Sequence, residues 1–365
     1  MKVIAQTAAL QEALNLAGSI VAARTPKPIL QCIKLVAADD TLTLLATDGE
    51  AGVRHQVTAV QVEEPGEALL PADRLGGIVR ECNEESITIE TDDDTCHIRA
   101  AGSHFKIFGY DPGEYPAIAE FEGDGDFAIG TDQIAGMIGK TLFATAKAHS
   151  HYAISGVLWE ASGKGLQMVA TDGHRLAMVK GSLDTAAGRD VTAVVPAKLM
   201  GLMQRLAGEG AQNLDVRVDE NQILVRTPNV VLVSSLVQGN FPKYSDVIPT
   251  ETTNRAAINA QEFQHRVRQA ALLTNEESRG VRIAFEADKV TLSSRAPEAG
   301  EAEVTCEAKY DGQEMAIGFN PAFLIDAMRI IDADEISFEM NASNKPAVIK
   351  TGSDFLYVIM PVSLE

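Results

Sequence analysis

The stretch "MVATDGHRLAMVK", Met168 to Lys180, decides how this chain is read. It sets Thr171, Asp172, Gly173, His174 and Arg175 between apolar runs. The flanks alternate apolar and polar, which is the period of a strand. Asp-Gly between two such runs signals a tight turn. Nearly the same phrase occurs earlier as "LLATDGEAGVR", Leu44 to Arg54, with Glu50-Ala51 in place of His174-Arg175. A turn kept constant while the side chains beside it change points to a binding surface carried by the middle of the chain.

Working outward, the echo extends to the whole chain. "TLTLLATDGE" begins at Thr41, "GLQMVATDGH" 124 residues later at Gly165, and "KVTLSSRAPE" another 124 on at Lys289. A second anchor, Pro-Ala at the head of a helix-period run, falls at Pro71, Pro196 and Pro321, an offset of 125. Proline suits a first helical position because its missing N–H has no partner there, and Asn320 is a fair cap for the third. Each unit also opens on a helix-like run and closes on alternating strands. A period this long means whole domains rather than a solenoid. The expected fold is α+β: three repeated domains, 1–124, 125–250 and 251–365, each with two helices packed on antiparallel sheets.

The side chains of the turn invite a hydrolase reading, with Asp172 and His174 serving Thr171 or a nearby Ser. A triad needs a base within reach of a nucleophile. The Gly173 turn argues against that alignment, and the chain has no G-x-S-x-G, H-E-x-x-H or P-loop. Cys32, Cys82, Cys96 and Cys306 are scattered and read as reduced structural thiols. The seven histidines show no metal spacing, so no metal, cofactor or catalytic residue is expected.

The net charge of −20 argues against nucleic acid if it is spread evenly. It is not spread evenly. The six helix-like runs carry a small positive balance, and the acid lies elsewhere. Helices facing one way would make a mildly basic wall on an acidic body. No apolar run is long enough to span a bilayer, and the N-terminal run does not read as a signal peptide, so a cytoplasmic location is expected.

Five stretches in order, "ATDGHRLA", "GNFPKYSDVIP", "NEESRGVRI", "FNPAFLIDAM" and "YVIMPVSL", resemble the bacterial DNA polymerase III β subunits, the sliding clamps. The resemblance runs the full length. It implies a non-catalytic processivity factor: a head-to-tail homodimer closing a six-domain ring around double-stranded DNA, without reading its sequence. The implied partners are the replicative polymerase α subunit, the clamp loader complex, and other polymerases and repair proteins carrying clamp-binding peptides. The rival reading is a peptide-docking scaffold that does not encircle DNA.

Carried over residue by residue, the resemblance implies a hydrophobic peptide pocket of Ile154, Thr171, Gly173, His174, Arg175, Leu176, Pro242, Val247, Pro346, Val358 and Met360, with His174 and Arg175 free to bond a ligand. Ala153 and Asp246 depart from the aromatic and the Arg that some relatives carry, which implies a smaller, more acidic rim. The implied dimer seam pairs Phe105 and Ile107 with Leu272 and Leu273. The implied DNA-facing residues are Arg24, Arg80, Lys140, Lys147, His149, Tyr152, Lys198, Arg205 and Arg266.

Overall fold

The three anchor segments fold alike in the computed structural model. Thr41–Thr47, Gly165–Thr171 and Lys289–Ala296 are all strands, each in an antiparallel sheet. The structure describes every residue except 23, 93, 148–152, 208–212, 275–279 and 364–365. Among the described residues there are six α-helices: α1 (Thr7–Ile20), α2 (Ala72–Glu81), α3 (Thr131–Thr141), α4 (Ala197–Ala207), α5 (Ala260–Ala271) and α6 (Pro321–Ile330). They come two per repeat. In the first repeat α1 packs on α2, and in the third α5 packs on α6.

The helices bury the stripe that their sequence period dictates. In α1, Leu10, Ala13, Leu14, Ala17 and Ile20 are buried, spaced three and four residues apart. That face lies on the strands Thr41–Thr47 and Ala51–Val57. The Pro-Ala anchors differ at their starts. Pro71 and Pro196 end strands, and the helices begin at the following Ala. Pro321 is the first residue of α6, and the Asn320 side chain accepts from Ala322 N at 3.0 Å. Two helices also stop short of their apolar pattern. α1 ends at Ile20, ahead of Pro26 and Pro28, so Arg24 lies beyond it. α3 ends at Thr141 and tightens into a short 3₁₀ turn, Leu142–Ala144.

Contacts divide the chain into two units, 1–131 with 201–236, and 132–200 with 237–365. The first holds a five-stranded and an eight-stranded sheet. In the larger one, Ala51–Val57 pairs with Val230–Ser235, so strands from the first and second repeats share one sheet. The second unit holds a twelve-stranded sheet. Its join is Arg175–Ser182 against Phe355–Ile359, strands of the second and third repeats. The turn after Thr171 therefore sits at the head of a strand bonded to both neighbours.

Candidate functional site

The Thr-Asp-Gly turn is built twice from the same bonds. Thr171 Oγ1 donates to the Arg175 carbonyl at 2.6 Å and accepts from Gly173 N at 3.1 Å. Asp172 Oδ1 accepts from His174 N and Arg175 N at 3.0 and 3.1 Å. Thr47 and Asp48 make the matching four bonds with Gly49, Glu50 and Ala51. Gly173 has φ +90° and Gly49 φ +96°, the left-handed region that favours glycine. Short polar side chains thus satisfy the backbone groups that a tight turn leaves open.

What differs is the residue that follows. Ala51 stands where the second turn has Arg175. Expected to project from the turn, Arg175 is buried instead, only 8% exposed. Its Nε donates to Asp172 at 2.9 Å, one terminal nitrogen to Asp326 of α6 at 2.8 Å, and the other to the Phe143 carbonyl at 2.9 Å. The guanidinium also lies 4.5 Å over the Phe323 ring. Burial works against its charge, but the bonds to Asp326 and Asp172 outweigh it, and its pKa is raised. With these donors spent at home, Arg175 orders the turn rather than reaching for a ligand. Both Asp172 oxygens are likewise engaged, by the backbone of the turn and by Arg175, rather than by the His174 ring.

Beside the turn lies a cleft of about 190 Å³, lined by Ile154, Thr171, Gly173, Arg175, Leu176, Pro242, Lys243, Tyr244, Val247, Val358 and Met360. Leu176 and Val358 face each other across the strand join and form its buried floor. They belong to an apolar cluster with Ala153, Leu158, Val169, Val194 and Val348. Val247 and Met360 are 42% and 37% exposed at the rim. A soluble surface keeps such apolar side chains in one place for use.

Of the residues expected to line the cleft, the structure brings together Ile154, Thr171, Gly173, Arg175, Leu176, Pro242, Val247, Val358 and Met360. His174 and Pro346 are not among the lining residues. His174 is exposed, and its ring stacks beside Phe323 at 6.3 Å between centroids. The His174 carbonyl accepts from Met360 N at 2.9 Å, which ties the turn to the rim. Asp246 is exposed and does not line the cleft either; Lys243 does. The rim therefore carries the Lys243 cation, with Asp246 exposed next to the rim residue Val247. Ala153 is buried in the apolar cluster beneath.

Lys243 and Tyr244 were missed. Tyr244 OH donates to Glu160 Oε2 at 2.6 Å and accepts from Gln167 Nε2 at 2.7 Å. Burial first, then the Glu160 carboxylate, pushes its phenol up to about 12. The segment "FPKY" carried the signal, since an aromatic beside Pro242 could close one wall.

Among the remaining expected residues, Arg80, Lys198 and Arg205 are exposed on α2 and α4. Arg24 and Lys147 are exposed beyond helix ends, and Lys140 is half-buried in the last turn of α3. Arg266 is half-buried on α5, bonded to Glu262 and Gln269 of its own helix. His149 and Tyr152 lie outside the described residues. Phe105 is 37% exposed on the outermost strand of the five-stranded sheet, with Ile107 two residues on. Leu272 is 80% exposed just past the end of α5, and Leu273 is half-buried. Among the described residues no group of three or more His, Cys, Asp or Glu could hold a metal.

Models of the DNA polymerase III beta subunit match along the chain: its N-terminal domain over residues 1–119, its central domain over 128–243 and its C-terminal domain over 245–363. The beta sliding clamp of Bacillus subtilis is 28% identical over 375 residues, covering 99% of both chains. That of Pseudomonas aeruginosa is 29% identical over 362 residues, covering 98% of this chain and 99% of its own. Among solved structures, the B. subtilis DNA polymerase sliding clamp superposes with TM-score 0.96 over the whole of both chains, at 28% identity. A P. aeruginosa sliding clamp bound to griselimycin does so with TM-score 0.95 at 29% identity.

Proposed function

The chain belongs to the family of DNA polymerase III beta subunits, the beta sliding clamps, and on that premise we propose which of its residues do the work. It is a DNA sliding clamp of the replication machinery, a non-catalytic accessory subunit. The proposed assembly is a head-to-tail homodimer of three-domain chains, with domain limits near 124 and 250, closing a ring around duplex DNA. Retention is then topological. The wall needs only weak, sequence-blind attraction to phosphate, because tight pairing would hinder sliding. Arg24, Arg80, Lys140, Lys147, Lys198 and Arg205 supply that attraction, and His149 and Tyr152, outside the described residues, are assigned with them; Arg266, tied to Glu262, contributes less.

The apolar cleft beside the Thr171–Gly173 turn carries the second half of the proposal. It receives a short linear peptide from the polymerase α subunit, the clamp loader, or other polymerases and repair proteins. Leu176 and Val358 offer apolar floor, and Met360 can re-pack for several ligands. Lys243 is the rim cation. No helix among the described residues is long and apolar enough to cross a membrane. We place the chain in the cytoplasm with the DNA. Truncating Leu176 and Met360 together to Ala is expected to weaken binding of a polymerase C-terminal peptide roughly tenfold or more, with the dimer intact. Unchanged affinity would place the groove elsewhere.

A further inference from the structure

The five-stranded sheet of the first unit ends at the strand Ser103–Phe108, which pairs on one side only, with Thr95–Ala100. Such an edge invites another strand. Its side chains alternate. Phe105 and Ile107 lie opposite buried Ile98 and Cys96, on the core side. His104 and Lys106 lie opposite Arg99 and His97, on the outer face. His97 Nδ1 and His104 Nε2 are 2.9 Å apart, with ring centroids at 5.1 Å and planes within 19°. One nitrogen donates and the other accepts. The bond survives uptake of one proton, because an imidazolium can still donate to a neutral ring.

The charges facing this pair are Lys106 on its own strand, Arg99 beside it, Glu90 on Ser86–Asp92 directly opposite His97, and Lys2 opposite Glu90. Arg99 takes Glu90, and Lys2 takes Glu63. Lys106 has no carboxylate partner among the described residues. Glu90 is therefore shared between Arg99 and the His97 ring across the strand pair, and Lys106 leaves the edge positive.

In the second unit, the strand Gly300–Asp311 offers the opposite pattern. Its residues 300–307 pair with Lys289–Ala296, and among the described residues no strand lies on their other side. Glu301, Glu303 and Glu307 are exposed on one face. Ala302 and Val304 turn to the other, with Leu273 close to Gly300 at that end. Arg295 holds Glu301; Glu303 and Glu307 have no ion-pair partner among the described residues. One free edge is apolar inside and cationic outside. The other is apolar inside and anionic outside.

Taking the ring's seam to join these edges, we infer that the His97–His104 pair makes it proton-dependent. This rests on the ring reading above. An arriving row of carboxylates adds counter-charge beyond the shared Glu90, so the dimer binds the proton better than the separate chains do. By linkage the proton must then tighten the dimer. The comparison is made between about pH 8 and pH 6, within the range where histidine side chains in general change charge.

The test is the dimer dissociation constant of the full chain at these two pH values, by dilution sedimentation in EDTA. The wild type is expected to tighten by roughly fivefold or more from pH 8 to pH 6. His97→Gln with His104→Gln, both exposed or half-exposed and checked for folding by circular dichroism, should show one constant at both. Glu303→Gln should flatten the slope as well. A pH-independent wild-type dimer, or a slope that survives the double substitution, overturns the inference and leaves the ring standing. A monomer at every pH and concentration overturns both.

Discussion

Asp172 is the residue on which the binding turn depends. One of its carboxylate oxygens caps two backbone N–H groups, and the other holds buried Arg175. Asp172→Ala leaves that guanidinium short of a partner and is expected to cost about 3 kcal/mol. Asp48→Ala, in the matching turn where Ala51 replaces the Arg, should cost nearer 1 kcal/mol. Urea unfolding of the two variants checks this; equal losses would mean that Arg175 draws nothing from Asp172. Gly173→Ala should cost about 1 kcal/mol from its positive φ alone, because an added Cβ would meet nothing within 4 Å.

His55 sets an acid limit at the same scale. It is 7% exposed, its Nδ1 has no hydrogen-bond partner among the described residues, and burial lowers its pKa to about 4. The unfolded chain protonates the same ring near pH ~6.5, so between the two values the unfolded state binds more protons. The stability due to the neutral ring is complete above about pH 6.5 and falls by up to about 3 kcal/mol as the pH drops towards 4. His55→Leu should flatten that limb of a denaturation-midpoint-against-pH curve; an unchanged limb would assign acid lability to other groups. The buried thiols behave in the complementary way. Burial pushes Cys32 and Cys306 up to about 11 and Cys96 to about 12, so the native chain should resist alkylation that the unfolded chain undergoes.

Among elements, the strand Arg175–Ser182 matters most. It bonds Gly165–Thr171 on one side and Phe355–Ile359 on the other, so the cleft floor is shared by repeats far apart in the chain. The turn, the strand period and the helix stripes were legible in the sequence, because each is settled by residues a few places apart. The ties that shape the cleft were not. Arg175 finds Asp326 across 151 residues, and Tyr244 finds Glu160 across 84. Nothing local told that Arg175 would turn inward or that the His174 carbonyl would bond Met360 N. Helix ends follow a related rule: apolar spacing continues past Ile20 and Thr141, but prolines and a tightening turn stop the backbone first.

For the whole molecule, the decisive expectation is topological. Loaded on nicked circular DNA, the dimer should stay bound through a salt wash and fall off once the circle is cut. An electrostatic binder would behave alike on both forms, and that outcome would favour the docking-scaffold reading. The net charge of −20 makes the salt result informative, since so acidic a chain gains little from bulk attraction to phosphate.

The amino-acid sequence alone determined a threefold repeat of one α+β module, the paired Thr-Asp-Gly turns and the family. The repeat and the turns are local or periodic patterns, which neighbouring residues impose through backbone geometry and apolar spacing; the family came through the resemblance of five ordered stretches. Only the tertiary structure decided which side chains meet at the cleft, which charges are spent internally and which sheet edges stay open. Those outcomes hang on the reach of single side chains between distant strands, where an ångström or two separates a bond from none.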